Sequence, residues 1–222
     1  MKLIIDSANT EKISDYLTYL PVEGVTTNPS ILKKEGNIEF VNHMKEIRSL
    51  IGKEKSLHIQ TIAEDYEGMI KDARKIVDLI DREVYIKIPV SKDGLAAIKT
   101  LKAEGFNITA TAIYSEIQAL LATELGADYL APYVNRMSNL NTDPYKMISN
   151  IYRNISATNS DTRILAASFK NVDQVLKAVQ SGSTHVTVGT DVIDAFLANA
   201  NITIAVSDFG NDWESVYGNY EI

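Results

Sequence analysis

Cysteine is absent from this sequence. Disulfide frameworks, thiolate nucleophiles and Cys-type metal sites are therefore excluded together. Histidine is scarce: His43, His58 and His185 are scattered and no HExxH occurs, so no metal centre is expected. No Walker loop GxxxxGKS/T and no GxSxG is present, which removes support for a nucleoside triphosphatase or an α/β-hydrolase. Long apolar runs are missing too. No window approaches the roughly 18 apolar residues of a membrane span, and MKLIIDSANTEK reaches Asp6 too soon for a signal peptide. The expectation is a cytoplasmic protein without a membrane partner. Cations are in deficit, with 22 Lys and Arg against 29 Asp and Glu and a net charge of −7. That argues against a nucleic-acid partner. A small phosphorylated ligand needs only a few local cations and stays open.

What is present is a regular alternation. Eight short β-rich runs occur: KLIID (2–6), GVTTN (24–28), LHIQTI (57–62), VYIKIPV (84–90), NITAT (107–111), YLAPYV (129–134), RILAAS (163–168) and HVTVG (185–189). Helical periods lie between them. SKDGLAAIKTLKAEG (91–105) has Ser91 as a cap, Leu95, Ile98 and Leu101 on one face, and Gly105 at its end. DPYKMISNIYRNI (143–155) opens with an Asp cap and Pro144 at the first helical position. NVDQVLKAVQSG (171–182) runs from Asn171 to Gly182, and DVIDAFLANA (191–200) reads as the eighth helix. Eight strand–helix units without a Pro/Gly/Ser linker predict one α/β domain over 1–222, a single (β/α)8 TIM barrel. The alternative is an open doubly wound sheet, which usually has a Gly-rich phosphate loop after strand one; this chain has Asp6-Ser7-Ala8-Asn9 there. Residues 201–222 exceed the barrel and predict an extra C-terminal helix. Its stripe of Val206, Phe209, Trp213 and Tyr217 either covers the chain's own barrel or packs on a neighbouring subunit. The second reading rests on the barrel being already complete, and the pattern alone leaves both open.

VYIKIPV carries the chemistry. Alternate strand residues face opposite sides, so Val84, Ile86 and Ile88 suit the helix layer, and Tyr85 and Lys87 point into the barrel. Lys87 then lies near the C-terminal end of strand four, where barrel active sites sit. The same alternation gathers Asp6, Thr26, Asn28, Gln60, Thr109, Thr111, Tyr133 and Ser168 at that end. Singly, each has a bland explanation. A strand Thr usually reflects β-propensity, an Asp after a strand is often a cap, and Lys87 has room to snorkel or pair with Asp6. Their convergence favours chemistry. A lysine in a water-poor barrel has a lowered pKa and attacks a ketone as the neutral amine. Asp6, Gln60, Thr111 and Tyr133 have side chains suited to moving the protons of that reaction.

GVTTNPS (24–30) and VYIKIPV resemble the two signature regions of transaldolases, and IDSAN (5–9), APYVNRM (131–137) and LAASFK (165–170) extend the resemblance over nearly the whole chain. The length is similar to the small-transaldolase and fructose-6-phosphate aldolase branch, whose members are (β/α)8 barrels. The resemblance implies that Lys87 forms the Schiff base, Asp6 is the strand-one aspartate, and Asn28, with Thr26, binds substrate hydroxyls. It places phosphate on Arg136 and Ser168, with Lys170 beside them; an Arg fork and a hydroxyl suit that ligand. Transaldolases typically carry a glutamate and a phenylalanine where this chain has Gln60 and Tyr133, and the aldolases resemble it at both. The implied function is cleavage of fructose 6-phosphate to dihydroxyacetone and glyceraldehyde 3-phosphate, and the reverse. The alternative is transaldolase, moving the dihydroxyacetone unit to an aldose phosphate in the pentose phosphate pathway. A non-catalytic sugar-phosphate-binding barrel is the third reading. No cofactor is implied, because the iminium replaces a Lewis acid. The resemblance also implies a homo-oligomer, a pentamer or decamer, with the C-terminal helix crossing to a neighbour. Two departures stand out: Thr109 occupies a position that is apolar in the aldolase compared, and VTVGTDV (186–192) lacks the proline form common in strand eight.

Overall fold

The computed structural model describes residues 1–222. Its strands are β1 Lys2–Asp6, β2 Val22–Thr26, β3 Ser56–Gln60, β4 Tyr85–Pro89, β5 Asn107–Ile113, β6 Tyr129–Pro132, β7 Arg163–Ala166 and β8 His185–Val188. They pair in parallel, in sequence order, and β1 closes on β8 as a barrel. The (β/α)8 prediction is correct, and the open sheet is excluded. The helices are α1 Thr10–Tyr19, α2 Pro29–Leu32, α3 Phe40–Ile51, α4 Tyr66–Leu79, α5 Lys92–Ala103 and α6 Glu116–Glu124. They continue with α7 Val134–Asn139, α8 Pro144–Ala157, α9 Val172–Gln180, α10 Thr190–Asp194 and α11 Ala200–Tyr217.

Local chemistry sets the helix starts. Ser91 accepts from the Gly94 N–H, Asp143 from the Tyr145 and Lys146 N–H groups, and Asn171 from the Gln174 N–H. Each cap satisfies donors that the first turn leaves unpaired. Gly94 is also required by space, since a Cβ there would collide with the Pro89 carbonyl oxygen. The turn that follows Lys87 is therefore tight.

The core divides in two. Forty-seven buried apolar residues form one cluster that includes the outward strand faces (Leu3, Ile5, Ile86, Ile88, Ile108) and the inner helix faces. A much smaller cluster of Ile4, Tyr129 and Leu165 fills the barrel itself. Each fully buried Ile or Leu contributes about 1.5–3 kcal/mol, so the outer layer carries the stability and leaves the barrel interior free for polar groups.

Several boundaries differ from the sequence reading, and three of them bear on the site or the C-terminus. β2 ends at Thr26 rather than Asn28, because the Asn28 side chain accepts from the Ile31 N–H and caps α2. β6 ends at Pro132; Tyr133 makes only a single bridge to Ala167 before α7 begins. The eighth helix breaks after Asp194. Asn199 takes an extended conformation and its side chain accepts from the Asn201 N–H, so the chain restarts as the longer α11. That helix has no buried residue, with Val206 65%, Phe209 71% and Tyr217 61% exposed. Its stripe does not cover the chain's own barrel. No helix is long and apolar enough to cross a membrane.

Candidate active site

A cavity of about 550 Å³ opens at the C-terminal end of the barrel. All ten residues that the sequence assigns to a site line it: Asp6, Thr26, Asn28, Gln60, Lys87, Thr111, Tyr133, Arg136, Ser168 and Lys170. They come from seven different strand ends or following loops. Parallel strands in a closed barrel bring such ends together whatever their separation in sequence.

Lys87 lies deep in this cavity, 5% exposed. Its Nζ donates to the Thr27 carbonyl oxygen at 3.0 Å. Burial lowers its pKa from the usual lysine range, and the Asp6 carboxylate opposes the shift in part. The neutral amine is therefore more accessible than for a surface lysine. Gln60 is the register partner of Lys87 on β3, and Thr109 its partner on β5.

The strand-one carboxylate has support of its own. Thr26 Oγ1 donates to Asp6 Oδ1 at 2.6 Å and lies 2.5 Å from Thr187 Oγ1. The single Thr26 proton goes to the carboxylate, so Thr187 supplies the proton of the second bond. Thr26 is fully buried. It thus holds Asp6 from behind rather than offering a free donor to a ligand. Asn28 commits its Oδ1 to the α2 cap, which leaves its amide N–H groups to face the cavity.

Across the cavity, Thr111 Oγ1 and Tyr133 Oη lie 3.0 Å apart. Burial raises the Tyr133 pKa, with Thr111 and Arg136 pulling the other way, so the phenol is protonated throughout the neutral range. The Arg136 guanidinium stacks 4.9 Å from the Tyr133 ring centroid and donates to Tyr114 Oη at 3.1 Å. Ser168 has φ of 65°, a left-handed conformation uncommon for a residue with a Cβ. The Asn135 N–H bonds its carbonyl at 2.9 Å and holds it there. Ala112, with φ of 55°, sits in a bulge where β5 slips against β6. Strain of this kind clusters around ligand sites.

Several lining residues escaped the sequence reading. Thr187 follows from the alternation rule applied to β8, where His185, Thr187 and Gly189 share a face. Lys34 and Asp191 also line the cavity, and no sequence pattern marks them. In sequence His58 is one of three scattered histidines. It is fully buried inside the barrel and bonds Thr109. No three His, Asp or Glu side chains converge on a metal-ligand geometry.

Comparisons with known proteins show the family. The family model described as "Transaldolase/Fructose-6-phosphate aldolase" matches residues 3–218. A Streptococcus pneumoniae protein named "Probable fructose-6-phosphate aldolase" is 49% identical over 213 residues, 96% of each chain. A Methanococcus maripaludis protein named "Probable transaldolase" is 37% identical over 215 residues, 97% of this chain and 98% of its own. Among solved structures, an inosine 5' monophosphate dehydrogenase from Legionella pneumophila superposes with a TM-score of 0.60 at 13% identity. It covers 86% of this chain and 58% of that one. That likeness concerns the barrel fold alone. The family match over nearly the whole chain, with identities of 49% and 37% to these relatives, places the chain in the transaldolase/fructose-6-phosphate aldolase family.

Proposed function

We propose that the protein is a class I aldolase that cleaves fructose 6-phosphate to dihydroxyacetone and glyceraldehyde 3-phosphate and runs the reverse addition. The observation that carries this is Lys87, a buried lysine with a lowered pKa facing a polar cavity. Neutral Lys87 attacks the C2 ketone, and Asp6 shuttles protons as the carbinolamine loses water to give the iminium. The C4 hydroxyl then gives up its proton to a water held by Gln60, Thr111 and Tyr133. The C3–C4 bond breaks, its electrons flow to the iminium nitrogen, and the aldehyde leaves. Tyr133 protonates C3 of the enamine and regains its proton through the water. Hydrolysis of the iminium frees dihydroxyacetone and Lys87. Asn28 positions hydroxyls, and Thr26 holds Asp6. Arg136, Ser168 and Lys170 bind the phosphate at the cavity mouth.

The transaldolase reading shares every step up to the enamine, which then waits for a second aldehyde. The relative named a probable transaldolase keeps it in view. Gln60 and Tyr133 favour the aldolase, because they provide a proton at C3 without an acidic side chain. Incubation with fructose 6-phosphate alone is expected to release free dihydroxyacetone. Product only on addition of erythrose 4-phosphate would make the enzyme a transferase. Borohydride added with the ketone is expected to fix one adduct on Lys87; an adduct elsewhere, or none, overturns the mechanism.

The enzyme acts in the cytoplasm on sugar phosphates, without nucleic acid. It works as a ring-shaped homo-oligomer, a pentamer or decamer, in which the apolar stripe of α11 packs on a neighbouring subunit. Support comes from the exposure of Val206, Phe209 and Tyr217 on a helix that buries nothing in its own chain. Light scattering at the mass of a 24.6 kDa monomer would refute this.

A further inference from the structure

Thr187 takes no part in the steps above, yet it ends a hydrogen-bonded chain that reaches their carboxylate. It is 3% exposed and forms part of the cavity wall. Thr187 Oγ1 lies 2.5 Å from Thr26 Oγ1, which lies 2.6 Å from Asp6 Oδ1. The Thr187 hydroxyl has no other bond to the protein, and Asp6 Oδ2 has none.

Proton counting gives this chain one direction. A carboxylate only accepts, so the Thr26 proton lies on Asp6 Oδ1 and Thr26 Oγ1 accepts the proton of Thr187. Thr26 is fully buried, so Thr187 is the group that satisfies its lone pair. Bonds in such a chain polarise one another. Donation from Thr187 therefore makes the Thr26 hydroxyl a stronger donor to Asp6.

The consequence falls on the other carboxylate oxygen. The terminal torsion of an aspartate is soft, and either oxygen could turn toward the cavity. The bond to Thr26 holds Oδ1 back and leaves Oδ2 forward. Schiff-base formation needs one such oxygen. As the Lys87 ammonium and the ketone become an iminium and water, two protons leave nitrogen and reach oxygen. A single well-placed carboxylate oxygen can carry each in turn.

We propose that Thr187 is a positioning residue for Schiff-base formation: acting through Thr26, it fixes Asp6 Oδ1 and leaves Oδ2 as the oxygen that moves protons between Lys87 and the ketone. The inference rests on the Schiff-base reading above. It assigns no role to Thr187 in the later proton transfer at carbon, which belongs to Tyr133 and its water.

The test separates those two stages. Dihydroxyacetone is mixed with enzyme in D2O and quenched with borohydride at increasing times. The amount of adduct on Lys87 reads how fast the Schiff base forms, and the carbon-bound deuterium within that adduct reads the later proton transfer. Thr187→Val, which removes only the hydroxyl, should slow adduct formation by about tenfold, the scale of one hydrogen bond. Deuterium uptake within the adduct should stay within about twofold of wild type. Thr187→Ser should restore the rate of adduct formation. Thr26→Val should slow it at least as much, and adding Thr187→Val to Thr26→Val should change it further by less than about twofold, since Thr187 acts through Thr26. No adduct in the wild-type enzyme overturns the Schiff-base reading itself. Adduct formation at the wild-type rate in Thr187→Val, equal slowing of both stages, or independent effects in the double variant overturn the role of Thr187. Should Thr187→Val not fold, Thr187→Cys takes its place; a thiol is a weak donor, so slowing of adduct formation alone is again expected, and an unchanged rate refutes the inference.

Discussion

Replacing Lys87 by methionine should abolish catalysis and make the fold more stable. The side chain is 5% exposed, and its ammonium has one protein acceptor, the Thr27 carbonyl, with Asp6 as the opposing charge. Desolvating an ammonium costs several kcal/mol. One charge-assisted hydrogen bond offsets about 1.5–3 kcal/mol of that. Methionine fills nearly the same volume with no charge. Asp6 is only half-buried and keeps Thr26, so the substitution does not strand it. A net gain of about 1–3 kcal/mol follows, in line with replacement of other buried ions by apolar residues. For a chain of this length that raises Tm by about 2–12 °C. The gain should depend on pH. The folded-state pKa of Lys87 is depressed, so the wild-type penalty is fully present below that pKa. It is lost as pH rises through it toward the unfolded value, because the unfolded chain then binds the extra proton. The Tm difference between variant and wild type should therefore narrow as pH rises from 7 toward 10. Thermal melts across that range check it. A variant less stable than wild type, or a difference that grows with pH, would show that Lys87 is a paired structural ion and would refute the case for an activated amine.

Tyr133→Phe should lower release of dihydroxyacetone from fructose 6-phosphate by about 10²-fold or more, while borohydride still traps the adduct on Lys87; unchanged release would assign the acid elsewhere. Burial raises the Tyr133 pKa, so the phenol keeps its proton as pH rises past its ordinary value near 10; loss of Tyr133-dependent activity at neutral pH would contradict this. Arg48, largely buried, bonds Asp81 at 2.7 Å and the Gly52 and Lys55 carbonyls, so Arg48→Ala should cost about 3 kcal/mol, read as a lower urea midpoint. Phe209→Glu should dissociate the oligomer in light scattering and leave adduct formation on Lys87 intact; an unchanged mass would remove α11 from the contact.

The strands were legible because each pairs an apolar outward face with a distinct inward one, as Ile86 and Ile88 do around Lys87. That alternation was enough to assemble the cavity, since parallel closure brings strand ends together automatically. Ends of elements were less legible. Asn28 and Asn199 each leave the preceding pattern because a side-chain amide bonds a nearby N–H, a local choice that apolar periodicity does not record. The His58–Thr109 pair was invisible for a different reason. Fifty-one residues separate its members, and β3 and β5 meet only through the barrel interior. The fate of the α11 stripe could not be read from spacing, because an amphipathic helix looks the same whichever surface it covers.

The bonds that link Asp6, Thr26 and Thr187 span the seam where β1 meets β8. Lys2 pairs with His185, so the first strand made gains its second neighbour only from almost the last one. Lys87, Gln60 and Thr111 belong to neighbouring strands that emerge from the ribosome long before. Without β8 the Asp6–Thr26 pair on β1 and β2 lacks only its third hydroxyl, that of Thr187. The barrel's closure therefore reaches the chemistry: the last strand completes the hydroxyl support behind a carboxylate carried by the first.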